Sequence, residues 1–237
     1  IRDRASVAEH LVHQLEGAGV RHIYGIVGDS LNPVVDAVRR SKKIRWIHVR
    51  HEETAAFAAA AEAEITGQLA VCAGSCGPGN LHLINGLYDA NRSHLPVLAI
   101  ASHIPTSQIG TGFFQETHPD RIFDECSVFS EMISSSEQVP RVTRSAIQQA
   151  LSNHGVAVLT LPGDIADMEV SGNLPDTITS PRPARVVPNM EDVQGLADAI
   201  NRAGNVPLFV GAGARGAHAP RREVAELALG PEGLARG

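Results

Sequence analysis

Aromatic side chains are scarce: one Trp, two Tyr and six Phe make up 4% of 237 residues, and cysteine and methionine occur three times each. Cys72, Cys76 and Cys126 are too few, and odd in number, for a disulfide framework, so a reducing, cytoplasmic setting is expected. A basic excess is also lacking. The 20 Lys+Arg face 26 Asp+Glu, a formal charge of −6, which excludes the phosphate-tracking surface of a nucleic-acid binder. Long apolar runs are missing too, since stretches such as Leu95 to Ala101 fall far short of the roughly 20 residues that span a bilayer, and no signal-peptide pattern opens the chain. What remains, 43% hydrophobic and 19% charged residues with 22 Gly and 14 Pro, fits a globular chain with a real core. Against roughly 100–200 residues per domain, the length implies one domain or one and a fraction. The sequence begins at Ile1, which reads as an end removed or not recorded.

Ser6-Val7-Ala8-Glu9 has the spacing of a capping box and opens a first helix that Gly17 and Gly19 stop. Strand-like runs then alternate with helical ones: strands at His22 to Val27, Ile44 to Val49, Leu69 to Ala73, Leu95 to Ala101 and Val156 to Leu161; helices at Leu31 to Arg40, Glu52 to Ile65, Asn80 to Asn91 and Glu137 to Asn153. This alternation predicts an α/β fold, a doubly wound parallel sheet with helices on both faces, over residues 1–165. Residues 166–189, rich in Pro, Ser and Thr, read as a linker. Residues 190–237 read as the start of a second α/β domain: a helix at Met190 to Arg202, a strand at Val206 to Val210, a tight loop at Gly211 to Gly216 and a helix at Arg221 to Leu229. One strand between two helices cannot make a covered sheet, so this second domain is expected to be incomplete.

Four segments carry candidate chemistry. His51-Glu52-Glu53-Thr54-Ala55 starts like a zinc-protease helix, but Ala55 stands where the second histidine belongs, and the zinc reading fails. Glu52 and Glu53 read either as first-turn acids facing the helix dipole, which spacing alone favours, or as an acid/base carboxylate at the head of an alanine-rich helix whose small side chains admit close approach. Cys72 to Asn80 joins a strand to a helix. Ala73 removes the nucleophile-elbow reading of Ser75, and Gly77-Pro78-Gly79 is equally an ordinary turn or a turn laid against a ligand at the carboxyl end of a parallel strand. Phe113 and Phe114 sit in a loop, packing on the surface or a partner, or facing a ligand. Gly211-Ala212-Gly213-Ala214-Arg215-Gly216 has the dinucleotide fingerprint after an expected strand, and divides between a phosphate loop and a plain turn. His10, His13, His22 and His154 read as surface or helix residues, and no metal set is expected.

Taken in order, Arg50-His51-Glu52-Glu53, the run from Cys72 through Ala90 and Phe114-Gln115-Glu116 resemble the thiamine-diphosphate-dependent pyruvate oxidase family, nearest to its bacterial quinone-linked pyruvate dehydrogenases, over residues 1 to about 217. The resemblance implies that residues 1–165 are the cofactor's pyrimidine-binding domain, with Glu52 the activating carboxylate on the pyrimidine nitrogen. It places Ser75, Gly77, Pro78, Gly79, Asn80 and Asn85 at the cofactor. Asp29, Ser30, Phe114 and Gln115 fall near the substrate, pyruvate or a similar 2-keto acid. Gly211, Gly213, Gly216 and His218 would begin an FAD domain. It implies oxidative decarboxylation through FAD to acetate or acetyl phosphate, a homodimer or homotetramer, and a quinone as acceptor. Mg²⁺ would belong to a C-terminal domain. That domain's Gly-Asp-Gly motif has no counterpart here, because Gly28-Asp29-Ser30 and Gly163-Asp164-Ile165 lack the third glycine, and Arg221 to Gly237 departs from the family. The chain alone is therefore expected to be inactive. The rival is an acetolactate synthase-type carboligase; an NAD-dependent dehydrogenase built on Gly211 to Gly216 and a non-catalytic, self-pairing remnant are the readings from other classes.

Overall fold

The computed structural model describes residues 5–170, 187–203, 206–207, 209–214, 216–217, 219–220 and 222–225. The capping box at Ser6 is formed: its hydroxyl accepts the Glu9 N–H at 3.2 Å, and the Glu9 carboxylate accepts the Ser6 N–H at 2.7 Å. Helix α1 (Val7–Gly17) follows, then β1 (His22–Gly25), α2 (Asn32–Ser41), β2 (Arg45–His48), α3 (Glu52–Thr66), β3 (Ala70–Gly74), α4 (Pro78–Arg92), β4 (Val97–His103), α5 (Pro119–Ile122), β5 (Phe129–Met132), α6 (Val139–Asn153), β6 (Val156–Pro162), α7 (Gly163–Asp167) and α8 (Met190–Arg202). The chain divides into two compact units, Ile1–Ala184 and Arg185–Gly237.

In the first unit all six strands run parallel in the order β2-β1-β3-β4-β6-β5. Every residue of β3, β4 and β6 is buried, as continuous apolar runs covered on both faces require. Alternate residues feed opposite layers. Leu98 and Ile100 join Leu11, Leu15, Val34 and Leu159 under α1, α2 and α6, whereas Val97 and Ala99 join Ala55, Ala59, Leu83 and Leu87 under α3 and α4. The doubly wound parallel α/β sheet expected from the alternation is the fold.

Four details depart from the sequence reading. Strand β5 was not anticipated because its residues are only half-buried or exposed, as befits an edge. The first unit runs past residue 165. Ala166 and Val170 are buried, Ser6 bridges to Glu169, and the Val170 N–H donates to the Ala5 carbonyl at 3.0 Å, so residues 166–170 belong to the sheet's own body rather than to a linker. His10 lies in α1, one of the two places read for it, but its burial at 4% exposure with neither ring nitrogen partnered was not anticipated. Val206, Pro207, Phe209 and Val210 form no strand, and Phe209 is fully exposed; a strand needs a paired neighbour for its N–H and C=O groups.

In the second unit, Asn189 caps α8 by accepting the Glu191 N–H at 3.2 Å, and Ala212–Ala214 form a single 3₁₀ turn.

Candidate active site

The sheet turns back at β1, with β2 on one side and β3 on the other, so the loops leaving the carboxyl ends of β1 and β3 diverge and leave a crevice. A cleft of about 920 Å³ lies there. One polar knot holds its walls together. The hydroxyls of Ser30 and Ser75 are 2.9 Å apart, the Cys76 N–H donates to Ser30 Oγ at 3.1 Å, and the Ser102 hydroxyl donates to the Ser30 carbonyl at 2.6 Å. The exits of β1 and β3 are thereby tied to the end of β4. Asp164 pins the far side: its carboxylate accepts the Thr106 N–H at 3.1 Å and the Thr106 hydroxyl at 2.5 Å.

Glu52 is the first residue of α3, 7% exposed, and lines the cleft. Its Oε2 lies 3.0 Å from His82 Nδ1 on α4. Its Oε1 faces Gly79, where a Cβ would stand only 3.2 Å away, so the glycine keeps that oxygen open. Glu53 has a different environment. The Asn85 amide donates to its carboxylate, and its N–H donates to His51 Nδ1 at 3.3 Å, the N-cap of the helix. The two adjacent acids are thus held apart, one in the cleft and one on the surface.

Gly77 adopts a left-handed φ of 68°, and Gln115, also left-handed at φ 66°, occupies the space a Cβ on Gly77 would need. The loop carrying Gln115 is gathered by Glu116, whose carboxylate accepts the N–H groups of Gly110, Gly112 and Phe113. These bonds, that from Gly110 foremost, hold the Glu116 carboxyl below the ordinary glutamate range. Phe113 and Phe114 stand out from this loop at 43% and 78% exposure and line the cleft.

Asp29, Ser30, Glu52, Ser75, Pro78, Gly79, Phe114 and Gln115 therefore come together around one cavity. Gly77 backs the loop instead. Asn85 serves Glu53 at the surface, and Asn80 is fully buried, its amide donating to the Ser102 carbonyl at 2.7 Å while its Oδ1 has no partner. Gly211, Gly213 and Gly216 belong to the second unit, and His218 lies outside the described residues. Burial pushes the Cys72 thiol up to about 12 and the Cys126 thiol up to about 11, and both are packing residues, whereas Cys76, free and buried like them, lines the cleft and donates from Sγ to Gln115 Oε1 at 3.5 Å. The residue missed in the sequence is His82. It lies 30 positions from Glu52, and only the packing of α4 on α3 brings them together; its ring stacks on His51 with centroids 4.3 Å apart.

Residues 5–122 match the family described as the thiamine pyrophosphate (thiamine diphosphate) enzyme N-terminal TPP binding domain. An uncharacterized 42.6 kDa protein from Pseudomonas amyloderamosa is 54% identical over 95% of this chain and 57% of its own length. Pyruvate oxidase of Lactiplantibacillus plantarum is 36% identical over 86% of this chain and 34% of its own. Acetolactate synthase isozyme 1 large subunit of Escherichia coli is 32% identical over 97% and 41%. The chain spans between a third and somewhat over half of these relatives. Likeness to both named enzymes means that the similarity does not single out pyruvate oxidase. No helix among the described residues is long and apolar enough to cross a membrane.

Proposed function

We propose, for a chain whose residues 5–122 belong to the thiamine pyrophosphate enzymes through their N-terminal TPP binding domain, that the cleft holds the aminopyrimidine ring of thiamine diphosphate. The observation that carries this reading is Glu52, a buried carboxylate at a helix N-terminus with one oxygen taken by His82 and the other left open beside Gly79. The cleft fits such a ring: it is roomy, Gly79 adds no side chain, and Phe113, Phe114 and Ile104 offer apolar walls. When bound, the cofactor supplies the electron sink for decarboxylating a 2-keto acid. The protein's part is positional and electrostatic. Glu52 exchanges a proton with a ring nitrogen through Oε1, the Ser30–Ser75 knot keeps the cavity's depth, and Phe114 and Gln115 shield its mouth from water.

The reaction we assign to the protein carrying this domain is oxidative decarboxylation of pyruvate or a similar 2-keto acid through FAD, to acetate or acetyl phosphate. Likeness to a pyruvate oxidase supports it. FAD is assigned to the second unit at Gly211, Gly213, Gly216 and His218, Mg²⁺ to a domain outside this sequence, and a quinone to the role of acceptor. Exposed Phe57, Leu81 and Phe114 support a homodimer or homotetramer. Three free thiols support a cytoplasmic setting. Acetolactate synthesis is the second reading, favoured by the acetolactate synthase relative.

Two measurements test this. Saturation-transfer NMR of thiamine with the chain is expected to show contact at the pyrimidine protons that Glu52→Gln abolishes; undiminished contact in the variant removes Glu52 from the role. With pyruvate and the enzyme that carries this domain, acetate or acetyl phosphate is the expected product, and acetolactate would move the assignment to the carboligase.

A further inference from the structure

The zinc-protease pattern fails in the sequence because Ala55 occupies the place of the second histidine. The fold supplies that histidine from elsewhere. His82, on α4, comes to 3.0 Å from Glu52, and His51, Glu52 and His82 each offer a ligand atom, all within 4.8 Å of one another. We propose that these three residues form a site for a divalent first-row transition metal ion, with Zn²⁺ as its reference occupant, and that filling it takes Glu52 out of use.

Two imidazoles and one carboxylate are a donor set suited to zinc, with a fourth position open to water. The spacing is nearly right without rearrangement. Two ligand atoms each about 2.0–2.1 Å from a tetrahedral zinc stand about 3.3 Å apart, and the Glu52 and His82 atoms are 3.0 Å apart. An ion can therefore replace their hydrogen bond with a few tenths of an ångström of opening. His51 has farther to come. Its side chain and that of His82 are 48% and 43% exposed, so both rings have room to turn out of their stack and aim a nitrogen at a common point. The cost is one weak contact, the 3.3 Å cap from the Glu53 N–H to His51 Nδ1, which ends once the ring ligates through either nitrogen.

The second half of the proposal rests on the function assigned above. A carboxylate shared with a cation no longer exchanges a proton with a ring nitrogen, so zinc acts as an inhibitor at the buried acid.

The chain is titrated calorimetrically with zinc chloride. One ion per chain is expected, with affinity falling about tenfold or more in His82→Ala and in His51→Ala and unchanged in His154→Ala, which alters a histidine remote from the cleft. Equal affinity in the wild type and both cleft variants, or an equal loss in His154→Ala, overturns the site; circular dichroism melts confirm that each variant is folded. Thiamine contacts are then followed by NMR as zinc is added: they fade in the wild type, whereas in His51→Ala, which leaves the Glu52–His82 hydrogen bond in place, they stay at that variant's own zinc-free level. Zinc binding that depends on His82 without any thiamine contact upholds the metal site and sinks the cofactor reading. Thiamine contact that zinc leaves intact overturns the inhibition, with the cofactor reading unharmed.

Discussion

Replacing Gly86 by alanine tests whether the close approach of α3 and α4 holds the site together. A Cβ built on Gly86 would lie 2.5 Å from the Ala56 Cβ, 2.9 Å from the Phe57 nitrogen and 3.1 Å from the Ala56 carbonyl carbon. Two of the three obstacles are backbone, so the strain is relieved only by moving one helix off the other. Overpacking costs about 1–3 kcal/mol, and with backbone as the obstacle the upper part of that range, about 2–3 kcal/mol, applies. Against it, alanine recovers about 1 kcal/mol of helix propensity over glycine. The net expectation is a loss of about 1–2 kcal/mol, or roughly 2–8 °C in Tm for a chain of this size. The single tryptophan, Trp46, packs against the first unit's core and reports its unfolding by fluorescence in urea or on heating. Ala56→Gly removes the nearest clash but not the Phe57 nitrogen and itself costs about 1 kcal/mol of helix propensity, so the double variant should be destabilised by less than the sum of the two single variants. A Gly86→Ala protein as stable as the wild type would refute the reasoning, since it would mean the helices can part without penalty.

Burial pushes His10 down to about 4, with a smaller effect from His13. Between that value and the ordinary histidine range the unfolded chain binds the extra proton, so stability is complete at neutral pH and falls as the pH drops toward 4, by up to about 2–3 kcal/mol. His10→Leu should flatten that part of a Tm-versus-pH curve, and an unchanged slope would remove His10 as the cause. Glu116 has the opposite character as a depressed acid: its bonds persist above the ordinary glutamate range and are lost as pH falls through its lowered value. Amide exchange at Gly112 and Phe113 should accelerate there, and Glu116→Gln should show the faster exchange at neutral pH as well. Identical protection in the variant would detach Glu116 from the loop's order.

Where a residue's fate depended on its own neighbourhood in the chain, it could be read in advance. The apolar runs of β3 and β6, the Ser6 capping box and the helix opening at Glu52 all express local periodicity or capping, which survive into the fold unchanged. Strand β4 shows the limit. It was expected at Leu95 to Ala101 and runs Val97–His103, because Ser102 and His103, polar in composition, are buried by their pairing with Leu161 and Pro162. The alanines of α3 admitted either a flat ligand or a backbone; Gly86 shows that a helix is what approaches. Spacing alone favours a first-turn acid for Glu52 and Glu53 alike, and only the family resemblance separates Glu52 from its neighbour; its partner was not legible at all, since no spacing rule connects it to a histidine on another helix. Asn80 and Asn85 entered through likeness alone, and their hydrogen bonds turn them away from the cavity.

The pairing of residues near 5 with residues near 170 bears on how the first unit is made. The Val7 N–H donates to the Met168 carbonyl at 2.8 Å, and the Val170 N–H donates to the Ala5 carbonyl at 3.0 Å. During synthesis, the apolar face of α1 has no complete cover until α6 and the segment after α7 have emerged, so the earliest helix is among the last to be sealed. Once sealed, entry and exit lie side by side. A fold clasped in this way is expected to keep its sheet, and the cleft built on it, when its ends are joined and new ones opened in a surface loop, an outcome that a permuted chain's melting curve checks.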